Sequence, residues 1–274
     1  MQLIDWQCSA CAVEFEPSAE APDFCPICVD ERQYVPDGNQ RWTHRTELLD
    51  TGHRVEVREL EPGLTSLTTP NIGIGQSALL VQTKAGNLLF EVPGLLDQHA
   101  FEVIGELGGV QGIVASHPHM YGVQSAYSSA FGDAPIYVAA ADQNWVQRSS
   151  PSVKIWSEPF EPIPGIRLEQ IGGHFPGSTV ALWKGGAEGR GALLAGDGVF
   201  PVADGNVTFL RSYPNRIPLS GPVVQRIATQ LAAMEFERLY NNFATVVPER
   251  AGEIVAFSAA RYAAWASGSN DSLT

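Results

Sequence analysis

Apolar residues in the first half of the chain come in short, dense runs rather than at helical spacing. Residues 53–60, 77–83 and 87–92 read as strands, the latter two almost continuously apolar and therefore buried on both faces. Gly86-Asn87 between them is placed to make a hairpin turn. A helical pattern over 95–107 leads into the short apolar strand 112–115. Further strands are predicted over 135–139, 168–171, 179–183, 192–195 and 243–247, and helices over 141–148 and 253–265. The clearest helix starts after Ser220, with Pro222 in its first turn and Val223, Ile227, Leu231 and Met234 on one face. Strands first, then alternating strand and helix, with apolar faces to cover on both sides, define a layered α/β domain. No internal repeat of fixed period is seen.

Composition adds bounds. The chain has 274 residues, 44% of them hydrophobic, enough for one large domain and a small appendage. Runs such as Ala78-Leu79-Leu80-Val81 fall far short of the roughly 20 apolar residues of a membrane span. With no basic, then apolar opening segment, the expected location is the cytoplasm. Seventeen basic residues against 30 acidic give a net charge of −13, which argues against nucleic acid and anionic membrane surfaces as partners. A small-molecule substrate is the expected partner, and an oligomer is compatible with the sequence.

All four cysteines fall within the first 28 residues, as Cys8-Ser9-Ala10-Cys11 and Cys25-Pro26-Ile27-Cys28. A C-x-x-C turn points two sulfurs at one ion, and two such turns close a tetrahedral shell. The alternatives are two disulfides, disfavoured in a chain without secretion features, and four incidental buried thiols, disfavoured by the placement of every cysteine in this pattern. The pattern resembles a zinc ribbon or rubredoxin-like knuckle; Ala12 and Val29 stand where rubredoxins usually have glycine, which favours structural zinc over iron. The expected organisation is a four-cysteine knuckle over 1–36, a connecting segment over 37–52, the main domain over 53–266 and a polar tail over 267–274.

Three short strands in the main domain are each followed by metal-type ligands. His117 and His119 follow Ile113-Val114-Ala115, His174 follows Ile171-Gly172-Gly173, and Asp197 follows Leu193-Leu194-Ala195-Gly196. In an extended segment, residues i and i+2 project to the same side, so His117 and His119 are placed to grip one ion together. Three protein ligands plus a water make a catalytic zinc site. His44, His53 and His99 have no such neighbours and read as surface or packing residues, and Trp145, Trp156 and Trp183 as core.

These motifs are similar to those of the metallo-β-lactamase superfamily. Ser116-His117-Pro118-His119-Met120-Tyr121-Gly122 resembles its His-x-His-x-Asp-His motif. Gly173-His174-Phe175-Pro176-Gly177-Ser178 resembles the third-histidine motif, and Leu194-Ala195-Gly196-Asp197-Gly198 the Gly-Asp motif. The resemblance implies a four-layer αββα sandwich with the metal site along one edge of the two sheets. It also marks departures. Tyr121 and Gly122 replace the Asp-His pair, Glu91 stands for the early Asp, and Pro248-Glu249-Arg250 follows the last strand where a histidine is expected. The resemblance thus implies a zinc-dependent hydrolase (iron being the other metal considered) with one active-site ion on His117, His119, His174 and Asp197. Tyr121 or Arg250 is expected to stabilise developing charge, and the loop 211–218 to shape the cavity mouth. The competing expectations are a catalytically reduced metal-binding scaffold and a redox protein of the di-iron type, the latter disfavoured because Met120 and Tyr121 are not carboxylates.

Overall fold

The computed structural model describes residues 2–274. A short helix, α1 (Arg45–Asp50), precedes a seven-stranded sheet of β1 (Glu56–Glu61), β2 (Leu64–Thr68), β3 (Ser77–Thr83), β4 (Gly86–Phe90), β5 (Gly112–Val114), β6 (Ile136–Ala139) and β7 (Val153–Trp156), in that spatial order. β1 to β4 form an antiparallel meander, and β4 to β7 run parallel. The parallel pairs need crossovers, supplied by α2 (Gln98–Glu106) before β5 and α3 (Gln124–Ala130) before β6. A six-stranded sheet follows: β8 (Phe160–Ile163), β9 (Ile166–Gln170), β10 (Thr179–Trp183), β11 (Ala192–Leu194), β12 (Arg238–Tyr240) and β13 (Val246–Val247). α4 (Gly221–Leu231) crosses from β11 to its parallel neighbour β12, and α5 (Ala251–Ala266) closes the domain.

Strand alternation explains the layers. On β3, Leu79 and Val81 face the other sheet, packing with Ile166, Leu168, Ala181 and Leu194. Ala78 and Leu80 face outward, into a core with Ala100, Ile104 and Tyr127 of α2 and α3. The second sheet repeats the scheme. Ala181 and Trp183 point inward, while Val180 and Leu182 meet Val224, Ile227, Leu231 and Val255 of α4 and α5. Each fully buried Leu, Ile or Val contributes about 1.5–3 kcal/mol relative to exposure, so a sheet buried on both faces requires the continuous apolar runs seen in β3 and β4. The result is the four-layer αββα sandwich that the resemblance implied.

Several elements differ from the sequence reading. The hairpin turn is Lys84-Ala85, and Gly86 already belongs to β4. Residues 140–145 form a 3-10 segment rather than an α-helix. Leu64–Thr68, Val153–Trp156, Phe160–Ile163 and Arg238–Tyr240 are strands that local pattern did not reveal, and only Val246–Val247 of the predicted 243–247 is strand. On α4 the buried face is Val224, Ile227 and Leu231, and the helix stops before Met234. Ser220 holds the N-cap position without a side-chain hydrogen bond.

The N-terminal segment is not a free appendage. Cys8, Cys11, Val13, Phe15, Cys25 and Ile27 are buried in one core with Val92, Leu95, Met120 and Tyr121 of the main domain. Polar contacts reinforce the junction: the buried amide of Gln7 donates to the Gly94 carbonyl at 2.6 Å, the Glu14 N–H donates to the Gly122 carbonyl at 3.0 Å, and the Glu14 carboxyl accepts from the Ser125 N–H. Among the described residues no helix is long and apolar enough to cross a membrane.

Candidate metal centre

His117 leaves β5 in extended conformation (φ −167°, ψ 170°), and Pro118 then opens a 3-10 turn over Pro118–Met120. The two histidines therefore converge through a turn, not through the i, i+2 geometry of a strand; the fixed φ of proline sets that turn. His119 directs Nδ1 at Nε2 of His174, 3.4 Å away. Asp197 Oδ2 lies 3.5 Å from His117 Nε2 and 3.8 Å from His174 Nε2. One ligand atom from each of these four buried residues lies within 4.8 Å of every other.

These spacings test the fit of an ion. Tetrahedral zinc with nitrogen or oxygen ligands at about 2.0–2.1 Å has ligand–ligand edges of about 3.4 Å. His117 Nε2 and Asp197 Oδ1 are fully buried and have no hydrogen-bond partner among the described residues, an arrangement that is costly unless a cation satisfies it. The imidazoles are prepared as ligands: burial holds His117 and His119 well below the ordinary histidine range, and His174 down to about 4. Neutral nitrogen is the form that binds metal. The residues present fit a divalent ion.

Neighbouring groups orient the ligands. His117 Nδ1 lies 2.8 Å from Ser116 Oγ, which donates to Glu91 Oε1 at 2.5 Å, and the Ser116 N–H donates to Glu91 Oε2 at 2.7 Å. Ser116 Oγ occupies the Nδ1 side of His117 and so turns Nε2 toward the centre. His174 Nδ1 donates to the Leu210 carbonyl at 3.2 Å with the same effect. Burial pushes the Glu91 carboxyl up to about 8 and that of Asp197 up to about 7; the Asn242 amide beside Asp197 pulls in the opposite direction. Gly196 holds φ +52°, and a Cβ there would collide with Ser116 Oγ, so the Gly-Asp pair is needed for this close approach.

The second-metal region is closed. Gly122 has φ +49°, and a Cβ at that position would lie 2.5 Å from the Val92 carbonyl oxygen, so no histidine fits there. The Tyr121 hydroxyl is committed to the Asp142 carbonyl at 3.3 Å instead of the ligand cluster, which removes the basis for a catalytic role. Arg250 is exposed at the start of α5, paired with Glu253. The residue beyond the last buried strand end is Asn242, fully buried after β12, not the 248–250 segment. Asn242 was missed because the strand before it, Arg238–Tyr240, was not predicted; the short apolar pair Leu239-Tyr240 ahead of Asn241-Asn242 is the only signal that could have found it.

Arg32 carried no sequence signal. It arrives from the N-terminal segment, 6% exposed, with Nε donating to the His174 carbonyl at 2.8 Å. Ser9, Arg32, Gln33 and Tyr34 line a cavity of about 440 Å³ together with His119, His174 and Asp197. Tyr213 and Pro214 of the predicted mouth loop complete that wall. The loop is tied to the N-terminal segment by Arg211–Glu31 at 2.6 Å and by Ser212 Oγ donating to the Arg32 carbonyl at 3.0 Å.

The four cysteine sulfurs form a second buried ligand group. Cys8–Cys28 and Cys11–Cys25 are each 3.7 Å apart, unbonded, and close to the edge of about 3.8 Å that a Zn–S length of about 2.3 Å implies. Gln40 Nε2 donates to Cys8 Sγ at 3.2 Å, as befits a thiolate.

The sandwich is that of the metallo-β-lactamase fold. VMB-1 matches with a TM-score of 0.58 at 16% identity, over 78% of this chain and 98% of that one. The DIM-1 metallo-beta-lactamase matches at 0.54 and 10%, over 74% and 98%. FIM-1 from Pseudomonas aeruginosa, in its mono-zinc form, matches at 0.54 and 15%, over 76% and 96%. The chain belongs to the same family as the uncharacterized protein YmaE of Bacillus subtilis (strain 168), with 42% identity over 259 residues, 93% of this chain and 94% of that one. No family model matches it.

Proposed function

We propose that the protein is a hydrolase of small molecules that works with one divalent ion, zinc by its donor set, on His117, His119, His174 and Asp197. The observation that carries the reading is the convergence of these four buried residues, three of which, His119, His174 and Asp197, line a cavity of about 440 Å³. An ion held there would supply a Lewis acid and a source of hydroxide at neutral pH. The chain's own residues do the rest. Asp197 is positioned to orient an attacking water or take its proton. Glu91 and Ser116 fix the orientation of the His117 ring, and Tyr213 fixes the Asp197 loop by donating to its carbonyl at 2.9 Å. Phe200 and Phe243 at the mouth restrict bulk water.

Metal content per chain, on protein purified without added metal, tests this together with ester, thioester, lactone and phosphoester panels. Two zinc ions falling to one in a His117→Ala, His119→Ala variant, with a hydrolysed substrate class lost in parallel, is the expected result. One ion unchanged by the substitutions, with no substrate cleaved, would point instead to a binding module.

A further inference from the structure

We propose that Arg32, carried by the cysteine knuckle, selects substrates bearing an anionic group, a carboxylate or a phosphate, on a flat apolar body. The proposal rests on reading the histidine centre as the reactive site. Three contacts fix the guanidinium. Nε donates to the His174 carbonyl at 2.8 Å, Nη1 to Asp30 Oδ1 at 2.7 Å, and the guanidinium carbon lies 4.2 Å from the centre of the Phe175 ring. A guanidinium offers five N–H donors, and these contacts use two. Nη2 makes no hydrogen bond among the described residues, although Arg32 is 94% buried and lines the cavity that holds His119, His174 and Asp197.

Asp30 balances the charge, but Nη2 still lacks an acceptor, and a carboxylate or phosphate oxygen is the strongest acceptor for a guanidinium donor. Pre-fixing the side chain by Asp30 and Phe175 means that little entropy is lost when the anion arrives. The rest of the cavity states what the anion is attached to. Phe200 packs against Tyr213 with ring centres 4.6 Å apart and neighbours Phe243 at 5.9 Å, an aromatic wall suited to a flat apolar group. In a chain of net charge −13, this arginine is a local exception to a field that otherwise repels anions.

Calorimetric titration of the metal-loaded full chain with 2-naphthoate and with its neutral counterpart 2-naphthamide tests the assignment. Naphthoate should bind at least tenfold more tightly. Arg32→Gln should bring it to the naphthamide level while leaving naphthamide unchanged. Asp30→Asn, which keeps an acceptor for Nη1 but removes the neutralising charge, should tighten naphthoate severalfold. The preference should survive in the His117→Ala, His119→Ala variant. Equal affinities in the unmodified protein would overturn the proposal. So would a preference that disappears with the histidines and persists in Arg32→Gln, because the anion would then sit on the histidine centre. If Arg32→Gln does not fold, Asp30→Asn decides, and no gain in naphthoate affinity sinks the idea. Binding is read without turnover, so a failed substrate panel would remove the hydrolase reading without touching these outcomes.

Discussion

Asp142 is 1% exposed, and of its two carboxylate oxygens only Oδ1 has a partner, the Gly177 N–H at 2.9 Å. Burial pushes its carboxyl up to about 6 from the ordinary 3.8. Below pH 3.8 the group is protonated whether the chain is folded or not. Above it, the unfolded chain ionises first, so the contribution to stability falls as pH rises and is fully lost above about pH 6. The two-unit displacement sets an upper bound of about 3 kcal/mol. The buried imidazoles act in the opposite sense, since their contribution is lost as pH falls below 6.5. The Asp142 effect is therefore read as a difference. Asp142→Asn should gain stability over the unmodified protein between pH 4 and 7 in urea unfolding, and equal stability across that range would refute the assignment. Ser116 offers a second test at this scale. Ser116→Ala breaks the link from Glu91 to His117 and should weaken metal binding by about 10–100-fold in competition with a chromophoric chelator, with the cysteine-held ion unaffected.

Among the elements, the knuckle has the widest reach. Cys25→Ser with Cys28→Ser should remove one ion per chain and lower the thermal midpoint on the order of 10 °C, because a closed thiolate site contributes directly to folding. Naphthoate binding should weaken at the same time, since Arg32, Gln33 and Tyr34 form part of the cavity wall; an unchanged affinity would separate the knuckle from the site. The Gly122 turn sets a limit on redesign. Rebuilding the second metal site by Tyr121→Asp with Gly122→His should fail to add an ion and cost on the order of 3 kcal/mol, because the new Cβ meets the Val92 carbonyl. Element prediction from pattern worked where burial imposes a period: β3, β4 and α5 were all visible. It missed β2, β7, β8 and β12, whose residues are a mixture such as Leu64–Thr68 or Arg238–Tyr240 and whose pairing is decided by distant neighbours.

For the whole molecule, the same division holds. The four-layer fold was legible only through the motif resemblance, and the buried group His117, His119, His174 and Asp197 because each member follows a short apolar strand, one in the first sheet and two in the second. Arg32 was not, because its part in the cavity depends on a segment docking more than 140 residues away along the chain, at His174. Nor was the retirement of Tyr121, which follows from the position of the Asp142 carbonyl. Chelation of the intact protein should proceed in two stages. The histidine-held ion faces a cavity and should leave first, with little loss of helix signal in circular dichroism; the thiolate-held ion is enclosed and its departure should coincide with unfolding. A single simultaneous loss would show that the two centres are not independent.

The docking of the N-terminal segment also dictates an order of events at the ribosome. Cys8 to Cys28 leave the exit tunnel ahead of the main domain and carry all four sulfurs of their own ligand group, which needs nothing synthesised later. Their packing partners Leu95, Met120 and Ser125 are made later, and His174 and Ser212, which receive Arg32, later still. That part of the cavity wall is therefore synthesised well before the residues that receive it. A nascent chain stalled before residue 212 would carry the complete four-cysteine group and an unfinished cavity.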